Sequence, residues 1–356
     1  MTGPSLPHST QSHAGSPPTD KPWRETPLIE SAKLSQAAGC RVFLKLEHLQ
    51  PSGSFKIRGL GNFVLNAYRA SRTPEKVHFF SSSGGNAGLA AVLAAQFVER
   101  PCTVVVPHST KARMIEKIKQ AGASEVIQEG ASWKEADSYM REVVMRRAAE
   151  ERGEDAVGVH PFDHPDIWEG HSSMIDEVRK QMPGGEVPDW VICSAGGGGL
   201  FCGVVQGVQK QGDAWSDTRV VVVETEGADA LAKSVDAGEL ITLPAITSIA
   251  TSLGARRVGD RTWELASQGV KSGKIRNVVL SDAEAAMGCW KLFDDENILV
   301  EAACGVNTAL CYGDRLQKAL SRIPRPDEKV VIVVCGGSNI STDIIEQWRK
   351  EYAHVS

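Results

Sequence analysis

Pro51-Ser52-Gly53-Ser54-Phe55-Lys56-Ile57-Arg58-Gly59 sets one lysine between an aromatic residue and a helix-like run. It follows an apolar stretch, 41–46, that reads as a strand. A lysine so placed sits at the mouth of a turn, where its amine can meet a ligand. An amine that has lost its proton can attack a carbonyl and form a Schiff base. A lysine beside a Ser/Gly turn can also simply open a helix, so the reading needs support elsewhere in the chain.

Two further glycine clusters supply it. Ser81-Ser82-Ser83-Gly84-Gly85-Asn86-Ala87-Gly88 follows the apolar run 77–80 and precedes 89–97, which is rich in Ala and Leu and reads as a buried helix. A strand, then Ser/Gly/Asn, then a helix is an anion-binding layout, because free N–H groups and the helix dipole face the ligand. Three serines and three glycines in eight residues exceed what a cap requires. The other cluster, Gly196-Gly197-Gly198-Gly199, lies between the strand-like 190–193 and the helix-like 200–209. Four consecutive glycines are costly in entropy, so something must come close to this backbone, and a phosphate held by successive N–H groups suits it. The run is neither a Walker loop nor a dinucleotide fingerprint, since no Lys-Ser/Thr follows and Cys202 stands where the last glycine is needed.

Apolar runs recur at 42–46, 77–80, 102–106, 125–127, 157–159, 190–193, 219–223, 277–280 and 329–334, with helical segments between them. That alternation predicts an α/β fold with parallel sheets and helices on both faces. The runs Val220-Val221-Val222-Val223 and Val330-Val331-Ile332-Val333-Val334 read as central strands. At 356 residues and 42% hydrophobic content the chain can bury one or two substantial cores.

The net charge of −5, with both signs interspersed, gives no basic stripe for nucleic acid and no polybasic segment for a membrane surface. No apolar stretch approaches the roughly 20 residues that span a bilayer. Residues 1–24 are Ser/Pro/His-rich at their start, lack an apolar signal core and are expected to form a disordered tail. The eight cysteines form no C-x-x-C pair, which points to buried thiols in a reducing cytoplasm.

In their order along the chain these landmarks resemble the fold-type II pyridoxal-phosphate enzymes, the family of tryptophan synthase β chain and threonine dehydratase. Within it the likeness is to the catabolic L-serine dehydratases. It rests on PSGSFKIRG at 51–59, SSGGNAG at 82–88, PFDHPDIWEGH at 161–171, GGGGL at 196–200, ETEGA at 224–228, TSLG at 251–254 and CGGSN at 335–339. The resemblance implies two open, twisted, mostly parallel α/β domains, the smaller (63–162) inserted into the larger (25–62 and 163–356).

It also implies roles. Lys56 would hold pyridoxal 5'-phosphate, and Phe55 would pack beside its ring. Asn86 would bond its phenolic oxygen, while Gly196, Gly197, Gly198, Gly199 and Leu200 would hold the phosphate through N–H groups. Cys335 would face the pyridine nitrogen. A thiol of ordinary pKa about 8.5 cannot keep that nitrogen protonated as a carboxylate would, which favours β-elimination over transamination. Ser83, Gly84 and Asn86 would receive the substrate carboxylate. Racemases of this fold carry a serine where this chain has Gly84, so racemisation is not expected. Pro161-Phe162-Asp163-His164-Pro165-Asp166 reads equally as a helix cap and as part of the substrate mouth. Glu224, with carbonyls around Ala228, Ala230 and Leu253, matches a cation site suited to a hard ion, K+ or Mg2+, and reads equally as a helix-capping carboxylate. His160, His164 and His171 lack metal-ligand spacing. Where the similar dehydratases read VEPACGAA, this chain reads Val300-Glu301-Ala302-Ala303-Cys304-Gly305-Val306-Asn307, so a wall of the pocket differs.

The reading is a cytoplasmic, homodimeric lyase of amino-acid catabolism and gluconeogenesis, dehydrating L-serine and L-threonine. Competing readings are a β-replacement synthase, a D-amino-acid dehydratase, and a non-catalytic protein that binds the cofactor or senses phosphate.

Overall fold

In the computed structural model, which describes residues 20–355, the strands are β1 Leu28–Glu30, β2 Arg41–Lys45, β3 Val77–Ser81, β4 Cys102–Val106, β5 Glu125–Gln128, β6 Asp155–Gly158, β7 Trp190–Ser194, β8 Arg219–Thr225, β9 Ile275–Leu280 and β10 Lys329–Val333. They form a six-stranded sheet in the order β1-β2-β10-β7-β8-β9 and a four-stranded sheet in the order β5-β4-β3-β6. All pairs are parallel except β1 with β2. The smaller sheet is built wholly from chain between β2 and β7, which is the inserted arrangement expected. Central strands read as continuous apolar runs because both faces are covered: Val220 to Val223 and Val330 to Val333 are all buried. The short antiparallel β1 has no such run and was not expected.

The helix Lys56–Ala70 joins the two halves. Its Ile57, Leu60, Phe63 and Val64 belong to the apolar core of the smaller sheet, so an expected boundary at 62/63 falls inside one helix. Its first turn is tied to the larger sheet by a buried ionic network. Arg58 bonds Glu47 and Glu177, with nearest distances of 2.7 and 2.6 Å, and Lys45 reaches Glu177 at 2.6 Å. Two cations and two anions therefore balance with almost no water. A Cβ on Gly170 would lie 2.3 Å from the Arg58 carbonyl, so the helix Pro165–Gln181 crosses Lys56–Ala70 backbone against backbone.

The expected tail lies outside the described residues up to residue 19. Within its last part Trp23 is buried and faces Gly61, so the packed chain begins before residue 25. No described helix is long and apolar enough to cross a membrane.

Candidate active site

Strands β2, β10 and β7 are neighbours and parallel, so the loops leaving their carboxyl ends emerge along one edge. These are the loop into Lys56, the loop after Cys335, and the glycine loop. The first two are stitched together. The Phe55 N–H donates to the Cys335 carbonyl at 3.2 Å, and the Gly337 N–H donates to the Gly53 carbonyl at 2.9 Å.

Lys56 is the first residue of its helix. Its Nζ donates to the Pro161 carbonyl at 2.7 Å and lies 5.4 Å from the centre of the Phe55 ring. The residue as a whole keeps some exposure, but its amine end is desolvated, and burial pushes the amine down to about 8. Phe55 also packs against His171, with ring centres 4.9 Å apart.

The glycine loop is packed from three sides. A Cβ on Gly196 would meet the Leu253 backbone at 2.8 Å, on Gly197 the Phe162 ring at 2.4 Å, and on Gly199 the Phe162 carbonyl at 2.7 Å. Gly198 has φ +95° and would place a Cβ 2.0 Å from the Thr262 hydroxyl. The run is therefore demanded by packing as well as by any ligand. It ends at the helix Gly199–Lys210, whose first N–H groups, those of Gly199 and Leu200 included, have no intrahelical partner. Phe162 lies on this loop while the neighbouring Pro161 accepts from Lys56, so the 161–166 segment borders the site. It is also a cap: His164 Nδ1 accepts from the Asp166 N–H at 3.2 Å, and Pro165 opens the helix.

From the smaller sheet, β3 leads through residues 82–85 into the helix Asn86–Phe97. Ser82 donates to Asp137 at 2.7 Å, and Ser83 Oγ accepts from the Gly85 N–H at 3.3 Å. The Asn86 amide is engaged at both ends. Nδ2 donates to Glu301 at 3.1 Å and to Ser252 at 3.3 Å, while Oδ1 accepts from the Ser338 N–H at 3.0 Å and hydroxyl at 3.1 Å. Glu301 Oε1 also accepts the Asn339 N–H at 2.7 Å. Asn86 thus joins the smaller sheet's helix to the loop after Cys335. Gly84 is tight on its Cβ side, where Thr110 Cγ2 would be 2.6 Å away.

Cys335 is buried, its sulfur 3.6 Å from Ser194 Oγ and 3.5 Å from Asn307 Nδ2. Hydrogen bonds from the Cys304 thiol and from Ser194 hold it below the ordinary thiol range, against the opposing effect of burial.

Glu224 is buried, and its carboxylate accepts from the N–H groups of Leu231 (2.9 Å) and Ala232 (2.8 Å) and from Asn277 (3.2 Å). It caps the helix Ala230–Ala237, the second of its two expected roles. Burial lifts it to about 7 despite those bonds. Ala228 and Ala230 lie at the start of this helix, whereas Leu253 lies on the glycine loop. Among the described residues no group of three or more His, Cys, Asp or Glu could hold a metal.

Several site residues carried no sequence signal of their role, although Ser252, Glu301 and Ser338 lie inside stretches quoted above. Glu301, Ser252, Ser338 and Thr110 are common residue types, and only the meeting of the two sheets makes them a cluster. His171 is fully buried with both ring nitrogens unpartnered, pressed between Gly59 and Gly203. Burial first, then Lys56 and Arg58, hold it far below its ordinary value, so it is neutral. His160 is pushed down to about 4, chiefly by burial, and its Nδ1 accepts from the Asp163 N–H at 2.7 Å.

A desolvated lysine facing glycine-rich loops at the carboxyl edge of a parallel sheet is where a carbonyl cofactor with a phosphate would be held, and the sequence comparison agrees. The family described as pyridoxal-phosphate dependent enzymes matches residues 20–336. The chain belongs to this family. It is 40% identical to the catabolic L-serine/threonine dehydratase of Saccharomyces cerevisiae, over 91% of this chain and 90% of that one. It is 42% identical to the L-serine dehydratase/L-threonine deaminase of Mus musculus, over 89% and 92%. Among solved structures, a fungal L-serine ammonia-lyase from Rhizomucor miehei superposes with a TM-score of 0.83 at 34% identity, covering 94% of this chain and all of that one. The residues fit the family's cofactor. Lys56 offers an amine that is partly free at neutral pH, and the start of Gly199–Lys210 offers N–H donors that glycine leaves uncovered.

Proposed function

We propose that this protein is a pyridoxal-phosphate-dependent lyase that converts L-serine, and L-threonine, to the 2-oxo acid and ammonia. The observation that carries the reading is Lys56, an amine desolvated to about 8 where the lysine, Cys335 and glycine loops meet. When bound, pyridoxal phosphate supplies a carbonyl that condenses with amines and an electron sink that acidifies Cα. Lys56 would anchor it and would serve as the general base that takes the Cα proton. Gly196, Gly197, Gly198, Gly199 and Leu200 would hold its phosphate. Phe55 would pack beside its ring, and the Asn86 amide, already fixed by Glu301 and Ser338, would meet its phenolic oxygen.

Ser83, Gly84 and Asn86 open a helix N-terminus that receives the substrate carboxylate. Gly84 offers no acid to the opposite face of Cα, which leaves elimination as the outcome. Cys335 would face the ring nitrogen in place of a carboxylate and would keep the electron sink mild. In sum, L-serine gives pyruvate and ammonia, water being lost from Cβ and regained in hydrolysis.

The same reading assigns a K+ or Mg2+ ion to Glu224 and carbonyls near Ala228, Ala230 and Leu253, and residues 63–162 to the smaller domain. A cytoplasmic homodimer belongs to it as well, in keeping with eight free, buried cysteines. The test is incubation of purified protein with L-Ser, L-Thr, D-Ser and D-Thr while 2-oxo acid is followed. Release from the L-amino acids alone is expected. Release from the D-forms indicates a D-amino-acid dehydratase, and no release from any indicates a binding protein.

A further inference from the structure

Asn307 lies in the helix Ala302–Ala309, which packs on β7, β8 and β10, and its side chain is fully buried. Its Nδ2 donates to the Val333 carbonyl at 3.2 Å and lies 3.5 Å from Cys335 Sγ. Its Oδ1 is buried with no partner. The orientation of the amide is fixed by chemistry, because a backbone carbonyl only accepts, so the atom beside Val333 must be the nitrogen. An NH2 group has two hydrogens. One goes to Val333 and the other faces the sulfur.

An amide buried among apolar side chains with an orphan oxygen is destabilising, and nothing in the packing of this helix calls for it. What it does accomplish is local. One lone pair of Cys335 is occupied by an N–H donor. The sulfur's other contacts are the Val333 carbonyl, which accepts from the thiol at 3.5 Å, Ser194 Oγ at 3.6 Å, and the Cys304 thiol. The Asn307 amide therefore adds a donor to the sulfur beside those of Cys304 and Ser194.

We propose that Asn307 is a positioning residue for Cys335, its amide donating to the sulfur and fixing the thiol in place beside the cofactor pocket. The pocket's occupant is taken from the proposed function, but the hydrogen bond to sulfur does not depend on it. The same donor stabilises the thiolate, so the consequence is read as a titration. The titratable and charged groups around this sulfur are Cys304, Cys193, Lys56 and Glu47. None of them is altered by a change at residue 307.

The full-length protein, stripped of cofactor, is titrated by thiolate ultraviolet absorbance, and the curve of Cys335→Ser is subtracted to isolate one sulfur. Cys40, Cys102 and Cys202 are pushed up to about 12 by burial and titrate later. Asn307→Ala should raise the Cys335 pKa by about one unit, the worth of one hydrogen bond to a charged group. Asn307→Leu keeps the volume without the donor and should give the same rise, which guards against a cavity or folding effect. An unchanged titration in whichever variant folds overturns the proposal. Borohydride labelling of Lys56 in the loaded wild type is scored separately. If Lys56 is not labelled the functional reading fails, while the titration still decides the role of Asn307.

Discussion

Replacing Lys56 by Met removes the central amine but should make the cofactor-free protein more stable. Burial lowers the amine from 10.5 to about 8. At pH 7 about one molecule in eleven then carries the free amine, against about one in three thousand for an unshifted lysine. The same shift has a cost in stability. Below pH 8 the folded state must protonate a desolvated amine, a penalty of about 3 kcal/mol. Between the folded and unfolded values the unfolded chain binds more protons, so wild-type stability rises with pH across 8 to 10.5. Methionine has no such group. Its replacement forfeits the hydrogen bond to the Pro161 carbonyl, about 1 kcal/mol. The net gain is about 2 kcal/mol below pH 8 and turns into a loss of about 1 kcal/mol above 10.5. Urea unfolding of cofactor-free wild type and Lys56→Met at pH 7 and at pH 10.5 measures it. A variant no more stable at pH 7, or one whose advantage is the same at both pH values, would refute the desolvated-amine argument.

Gly198→Ala demands a left-handed φ of an L-residue and puts its Cβ on Thr262, so cofactor affinity should fall at least about tenfold, read by fluorescence titration. Arg58→Leu leaves Glu47 and Glu177 with Lys45 as their one cation, and should cost about 3–5 kcal/mol in urea unfolding. Gly84→Ser, the simplest way to add an acid on the second face of Cα, runs into Thr110 at 2.6 Å. Alone it should slow 2-oxo acid release from L-serine with little D-serine formed, and Thr110→Ala in the same chain should recover the rate. Chiral analysis before substrate exhaustion checks both.

What was legible in the sequence was what local chemistry writes into it. Buried parallel strands need continuous Val/Ile runs, and glycine clusters mark backbone that something approaches closely, so nine of the strands and all three glycine loops could be read. β1 escaped because three antiparallel residues at a sheet edge leave no pattern. The roles in the site's other half were not readable: Ser252, Ser338 and Glu301 lie in stretches the sequence marked, but they and Thr110 act only through a meeting of two sheets distant in sequence. Glu224 shows the remaining ambiguity: a carboxylate after a strand suits a cation or a helix cap, and the capping bonds are the ones present. Arg58 illustrates a different blindness. Nothing in the lysine motif marks its burial, yet it is fully buried because two carboxylates from separate elements surround it.

The central claim is that Lys56 carries the cofactor, and reductive labelling tests it most directly. Purified protein should be yellow, and borohydride should bleach the colour while fixing the cofactor's mass to one peptide. Peptide mapping should place that mass on Lys56. Mass found on any other lysine, or on none, would contradict the account.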